Sequence, residues 1–271
     1  MPVEAAHCID VVQVYDSDAG PVPALRGVDV VLEAGTITVI TGPSGAGKST
    51  LLRLLAGLEP PTAGEVLIDG QATARLRNRA RRGFMARHVG YVFQRPHENL
   101  LEDLTVRQHL ALATRLCGRP HSAAALDAVR DEAGLGDVPD VRPAALSAGQ
   151  QQRLAFAMAR IGGPTIVVAD EPSAELDGAE AAALAASMRA AADRGDTFAI
   201  ATHDPVLMAV ADQRLVVRRG LASSYSTRRE HDIALIDDVG RLQMPDSIRD
   251  LFPSGRARMS IDTEGMRLDP P

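Results

Sequence analysis

Residues 42–50 read GPSGAGKST, preceded by the β-branched run ITVIT at 37–41 and followed by the helix-forming LLRLLAGL at 51–58. The spacing G-x-x-x-x-G-K-S is met by Gly42, Gly47, Lys48 and Ser49. A loop of this kind between a strand and a helix turns backbone N–H groups inward, and the helix start adds a positive end, so the stretch suits phosphate oxygens. Pro43, Ser44, Gly45, Ala46 and Thr50 complete the expected cradle. Lys48 is placed to reach β- and γ-oxygens, and Ser49 to ligate Mg²⁺. The plain alternative is a Gly-rich turn that happens to carry Lys and Ser; the flanking strand and helix favour the phosphate reading.

Outward from this loop, Ile37 to Thr41, Thr165 to Ala169 and Phe198 to Thr202 read as strands buried on both faces, the pattern of a parallel sheet. Between the last two, GAEAAALAASMRAAADRG has the composition of a helix closed by Gly195, which gives the strand-helix-strand rhythm of an α/β core. Apolar runs at 9–14, 28–32 and 66–68 with Gly and Pro turns predict an N-terminal antiparallel sheet. Residues from about 98 to 160 read as an inserted helical subdomain, with helices near 105–116, 122–133 and 148–161.

The strand TIVVA runs into Asp170 and Glu171 at the carboxyl edge of the predicted sheet, where such folds bind ligands. Asp170 can hold Mg²⁺, and Glu171 can act as general base on an attacking water. Such a pair on its own is more often a cap or a solvated edge; beside a phosphate loop it points to nucleotide hydrolysis. The net charge of −6 argues against nucleic acid as a partner. Cys8 and Cys117 have no companions at metal-ligand spacing and are expected as reduced thiols, in keeping with a cytoplasmic chain. No apolar run approaches the roughly 20 residues that cross a bilayer, and MPVEAAHCID lacks the plan of a signal peptide.

LSAGQQQR at 146–153, DEPSAELD at 170–177, VFQ at 92–94 and ATHD at 201–204 follow the loop in this order. With them the chain resembles the ATP-binding subunits of ABC transporters over about residues 8–220. The resemblance implies a P-loop NTPase core and ATP with Mg²⁺ as ligands. It implies that Gln94 senses the metal or the attacking water and links to an integral-membrane permease. Asp177 would be the residue of the loop that follows the acidic pair, and His203 the switch histidine on the γ-phosphate. Tyr15 stands where the family stacks an aromatic ring on adenine; packing within the sheet is the other reading of that residue. Ser147 opens a predicted helix, and in the family this helix start, with Gly149 and Gln150, faces the ATP of a second copy in a head-to-tail dimer. A Ser-capped helix is the bland reading of the same residues. Ala148 stands where the family motif has Gly.

VPALRGVDVVLEAG, GLEPPTAGEV and NLLEDLTV resemble the lipoprotein-release, macrolide-efflux and cell-division branch, with a loop after Gln94 about two residues longer than usual. The expected location is the cytoplasmic face of the plasma membrane, peripheral through the partner. A soluble relative acting on nucleic acid is the alternative, but such relatives carry coiled coils, zinc modules or a second nucleotide domain. A non-enzymatic scaffold would lack Glu171 or His203.

The expected division is an ATP-binding domain at 1–222 and a small β-rich module at 223–271. IDDVGRLQMP, SIRDLF and the turn TEG make the module resemble AbrB-type swapped hairpins, with Pro245 in a helix first turn. Residues 223–269 carry seven Arg against nine Asp and Glu, which favours dimerisation or regulation over DNA binding.

Overall fold

The computed structural model describes residues 3–18, 20–118, 122–227, 233–234, 258–262 and 265–269. The strands are β1 (Glu4–Tyr15), β2 (Val22–Glu33), β3 (Ile37–Thr41), β4 (Ala63–Ile68), β5 (Gln71–Ala72), β6 (Val89–Val92), β7 (Ile166–Asp170), β8 (Phe198–Ala201), β9 (Gln213–Arg218), β10 (Leu221–Thr227), β11 (Ile233–Ala234), β12 (Arg258–Asp262) and β13 (Gly265–Asp269). The helices are α1 (Lys48–Leu55), α2 (Asn78–His88), α3 (Val106–Cys117), α4 (Ala123–Glu132), α5 (Ala148–Arg160), α6 (Gly178–Ala192) and α7 (Pro205–Ala209).

The architecture is α/β. The larger sheet has the order β11-β10-β9-β3-β8-β7-β6, parallel from β9 to β6. Both of its faces are covered, which is why its strands read as unbroken apolar runs. Ile40, Ile166, Val168, Ala199 and Leu215 face α1 and the antiparallel sheet in one core. Ile37, Val39, Val167, Ala169, Phe198 and Ile200 alternate with them and meet α6 in a second. On α6 the buried positions Ala181, Leu184, Ala185, Met188, Ala191 and Ala192 fall at helical spacing and form the face that packs on the sheet. The antiparallel sheet, β2-β1-β4-β5, is the N-terminal one anticipated.

The insertion has its own core, with Leu110, Cys117, Leu135, Leu154 and Ile161 among its members. Thr105 and Gln108 form a capping box on α3. His109, wholly buried on α3, has both ring nitrogens engaged. Nε2 accepts from the Leu101 N–H at 2.9 Å, and Nδ1 lies 2.8 Å from the Thr105 carbonyl. Burial holds this imidazole below its ordinary pKa, opposed by the Thr105 carbonyl. The ring thereby pins the turn leading into α3.

Cys8 and Cys117 are buried, Cys117 with its Sγ on the Thr114 carbonyl at 3.3 Å, and burial, with Asp29, pushes the Cys8 thiol up to about 12. Among the described residues no helix is long and apolar enough to cross a membrane. The expected division between 222 and 223 falls inside β10, which pairs antiparallel with β9 as far as Thr227. The expected hairpin around TEG is present as β12 and β13, with Asp262 opposite Gly265. IDDVGRLQMP, SIRDLF and Pro245 lie outside the described residues.

Candidate functional site

Four neighbouring parallel strands, β3, β8, β7 and β6, point their carboxyl ends the same way. The chain leaves them at, respectively, the phosphate loop, His203, Asp170 with Glu171, and Gln94. Ligands gather at such an edge in open α/β sheets.

The phosphate loop is locked from outside. Gly42, Gly45 and Gly47 have φ of +143°, +73° and +107°. A Cβ at Gly42 would overlap the Val217 carbonyl of β9, and one at Gly47 would sit 2.6 Å from the Ala24 carbonyl of β2. The Ala46 N–H donates to Pro43 O at 3.2 Å, and the Gly220 N–H donates to Ala46 O at 2.9 Å. Lys48 Nζ donates to the Gly42 and Pro43 carbonyls at 2.8 and 3.2 Å, which arches the side chain back over the loop. Among the described residues no carboxylate pairs with this ammonium, which belongs to the only lysine in the chain. Ser44, Gly45 and Ser49 are exposed, and Lys48 and Thr50 half-buried, so the cradle opens to solvent. The first N–H groups of a helix lack partners within it, so the start of α1 at Lys48 is a positive end directly after the loop.

At the end of β7, Glu171 takes a φ of +42°, uncommon for a side chain of its kind. Its N–H donates to Ala201 O at 2.8 Å, tying the acidic pair to β8. Its Oε2 accepts the His203 N–H at 3.4 Å, and its Oε1 lies 3.9 Å from His203 Nε2. The imidazole is 58% exposed and the carboxylate 26%, so this pair is open to a ligand. Strain at one carboxylate, held by two strands beside a phosphate-type loop, is the kind of backbone outlier that clusters at functional sites.

Gln94 is exposed, two residues past the end of β6. Asn99 shapes its loop: Oδ1 accepts the Phe93 N–H at 2.7 Å, while Nδ2 donates to the Phe93 and Arg95 carbonyls at 3.1 Å each. The sequence reading passed over Asn99, although a polar amide five residues past Gln94 in a turn-forming stretch is the usual signature of such a brace.

Tyr15, half-buried at the end of β1, donates its hydroxyl to Glu59 Oε1 at 2.5 Å. Burial and the Glu59 bond raise its pKa, with Thr50 of the phosphate loop opposing. The phenol is thus beside Thr50, with its hydroxyl committed to the protein.

Ser147 and Asp177 lie on exposed helix starts. Ser147 caps α5 in a capping box with Gln150, and Asp177 caps α6 in another with Glu180. Ser147 Oγ also reaches Glu180 Oε1 at 3.3 Å, and buried Gly149 lies against the same carboxylate. Glu180 did not stand out in the sequence as a site residue, yet D-x-x-E before an apolar run is a capping-box pattern. These two helix starts converge on each other, and no hydrogen bond or ion pair joins either to Lys48 or Glu171.

Among the described residues no three His, Cys, Asp or Glu gather as a metal cage. Ser49, in the first turn of α1, and Asp170, at the end of β7, are hard oxygen donors at the carboxyl edge of the sheet. That donor set suits Mg²⁺, which takes one or two protein ligands and fills its sphere with water and phosphate.

Residues 25–174 match the family described as ABC transporter. The chain is similar to the lipoprotein-releasing system ATP-binding protein LolD of Porphyromonas gingivalis, at 37% identity over 76% of this chain and 94% of LolD. It is also 37% identical to the macrolide export ATP-binding/permease protein MacB 1 of Aeromonas hydrophila, over 77% of this chain but 32% of MacB 1. Its fold matches the dimeric ATP-binding cassette MJ0796 bound to ADP and Pi, with a TM-score of 0.74 and 27% identity over 82% of this chain and 98% of that one. None of these relatives is an AbrB-type regulator.

Proposed function

The chain belongs to the ABC transporter family of ATP-binding proteins, and from that premise we propose that two copies close head-to-tail over two ATP molecules beneath an integral-membrane permease. The chain is an ATPase. The name of MacB 1 joins an ATP-binding and a permease part, which supports a membrane partner here and a peripheral place on the cytoplasmic face.

In this reading the N–H groups of residues 42–50 bind the phosphates, and Lys48 swings from its two loop carbonyls to the β- and γ-oxygens. Ser49, Asp170 and Gln94 would hold Mg²⁺, which when bound neutralises phosphate charge. Glu171 accepts the proton of the attacking water, and His203 meets the γ-phosphate while its backbone N–H steadies Glu171. Tyr15 stacks its ring on the adenine, and Ser147, Gly149, Gln150 and Asp177 of the second copy close the site.

One observation carries the reading: a carboxylate and an imidazole at the ends of adjacent strands lie 3.9 Å apart, beside the strand that leads into a loop where a Cβ at 42 or 47 would clash with backbone. The test is Glu171→Gln. The variant is expected to bind ATP, to lose roughly 10²–10⁴-fold in turnover, and to accumulate ATP-dependent dimers in analytical ultracentrifugation. Turnover at the wild-type rate would assign the base elsewhere. Co-purification of a membrane protein with the wild-type chain tests the permease, and a chain recovered alone from solubilised membranes would count against it.

A further inference from the structure

Glu180 occupies the first turn of α6, and each of its polar atoms is spoken for. Oε2 accepts the Asp177 N–H at 3.4 Å, its own N–H donates to Asp177 Oδ1 at 2.8 Å, and Oε1 accepts the Ser147 hydroxyl at 3.3 Å. Around Gly149 the fit is closer still. A Cβ there would overlap Oε1 and Cδ of Glu180 and come within 2.9 Å of its Cγ. The start of α5, whose dipole and unpaired N–H groups attract an anion, therefore already has one: a half-buried carboxylate of the same chain.

The Ser147 hydroxyl has a single proton. Its oxygen accepts the Gln150 N–H at 3.2 Å as the cap of α5, and its proton goes to Glu180. If Ser147 is to donate to a phosphate of the second copy's ATP, that proton must first leave Glu180, and a carboxylate left in place would repel the incoming charge. We propose that Glu180 is an intramolecular latch on the α5 helix start, a positioning residue that holds the ATP-facing serine closed in the separate subunit and yields when nucleotide arrives. The proposal rests on the reading of Ser147 as a ligand of the second copy's ATP. Because the same carboxylate completes the capping box of Asp177, its release also loosens the α6 start, so that nucleotide at one helix start is felt at the other.

The test uses the full chain in a Glu171→Gln background, where ATP-dependent dimers persist, and follows the ATP concentration at half-dimerisation by analytical ultracentrifugation. Glu180→Gln keeps the shape of the side chain and removes its charge. It is expected to lower that concentration by about fivefold, the factor for relieving one like-charge contact near 4 Å in water. In otherwise wild-type protein the same substitution should lower KM for ATP with little change in kcat, a split that loss of a helix cap would not produce. Urea midpoints measured alongside establish that the fold is kept. An unchanged or raised half-dimerisation concentration in folded Glu180→Gln overturns the latch. Ser147→Ala separates the two levels of the argument. If it weakens ATP-dependent dimerisation while Glu180→Gln shifts nothing, the latch alone falls; if it has no effect, the reading of Ser147 falls and the latch with it.

Discussion

Alanine at Gly42 and alanine at Gly45 are expected to differ in stability by more than about 1 kcal/mol, although both replace a positive-φ glycine of one loop. At Gly45 a Cβ would meet open space, so Gly45→Ala incurs only the left-handed backbone penalty of about 1–2 kcal/mol. At Gly42 the φ of +143° is one that L side chains rarely adopt, and the Cβ would overlap the Val217 carbonyl. That carbonyl cannot readily retreat, since Val217 is fully buried and β9 is paired to β3 with Val216 opposite Thr41. Backbone strain of about 1–3 kcal/mol and overpacking of about 1–3 kcal/mol together give a loss of about 2–6 kcal/mol, a large part of a typical total of about 5–15. Gly47→Ala ranks with Gly42→Ala, because its Cβ would come within 2.6 Å of Ala24 O and 2.8 Å of Leu25 Cδ2. Urea denaturation of nucleotide-free protein, followed by circular dichroism, reads these losses as midpoint shifts at constant m. Equal midpoints for Gly42→Ala and Gly45→Ala would refute the claim that β9 shapes the phosphate loop.

Lys48 is the only lysine, so an amine-reactive reagent should modify the native chain only there and at the α-amino group, and saturating ATP should protect Lys48. Labelling indifferent to ATP, or full turnover by Lys48→Ala, would detach this side chain from the nucleotide. Tyr15→Phe loses the hydrogen bond to Glu59, at a cost of about 1 kcal/mol in stability, and leaves KM for ATP unchanged, whereas Tyr15→Ala raises KM several-fold. An unaltered KM in the alanine variant would leave Tyr15 a packing residue. His109 has a folded pKa below its unfolded value of about 6.5, so the unfolded chain binds the proton first as pH falls. The stability contributed by the neutral ring is therefore complete above about pH 6.5 and declines below it until the folded pKa is passed. Urea midpoints between pH 7.5 and 5.5 should fall more steeply in wild-type protein than in His109→Asn, and parallel slopes would show that His109 is not the group responsible.

The parts of the fold that were legible are those whose residues answer to one surrounding. β3, β7 and β8 are buried on both faces, and continuous apolar runs announce that. α3 and α5 have capping boxes, and the expected ends at 105–116 and 148–161 lie within one residue of the observed ones. β6 went unread because it is four residues long and contains Gly90, which weakens any strand pattern. The structure supplies the reason for that glycine, since a Cβ there would overlap the Ala159 carbonyl of α5, a contact 69 residues away in sequence. α2 went unread for the opposite reason: NRARRGFMARH has so many arginines that no apolar stripe appears.

The site divides along the same line. The residues at each strand end can be read locally, but which ends are neighbours cannot. Along the chain the order is Lys48, Asp170 with Glu171, then His203, whereas in the sheet β8 lies between β3 and β7. That crossover puts His203 between the phosphate loop and the acid, close enough for its backbone N–H to reach Glu171. A histidine at the end of a lone strand would be an ordinary surface residue; one inserted between a phosphate loop and a strained glutamate can respond to both. The same logic applies across α5 and α6, where Ser147 and Glu180 are 33 residues apart and each has a complete local explanation as part of a cap. Local sufficiency is what concealed Glu180. A residue whose nearest sequence neighbours already account for it gives no sign of a second partner, so a coupling between two helix starts emerges only when their packing is seen.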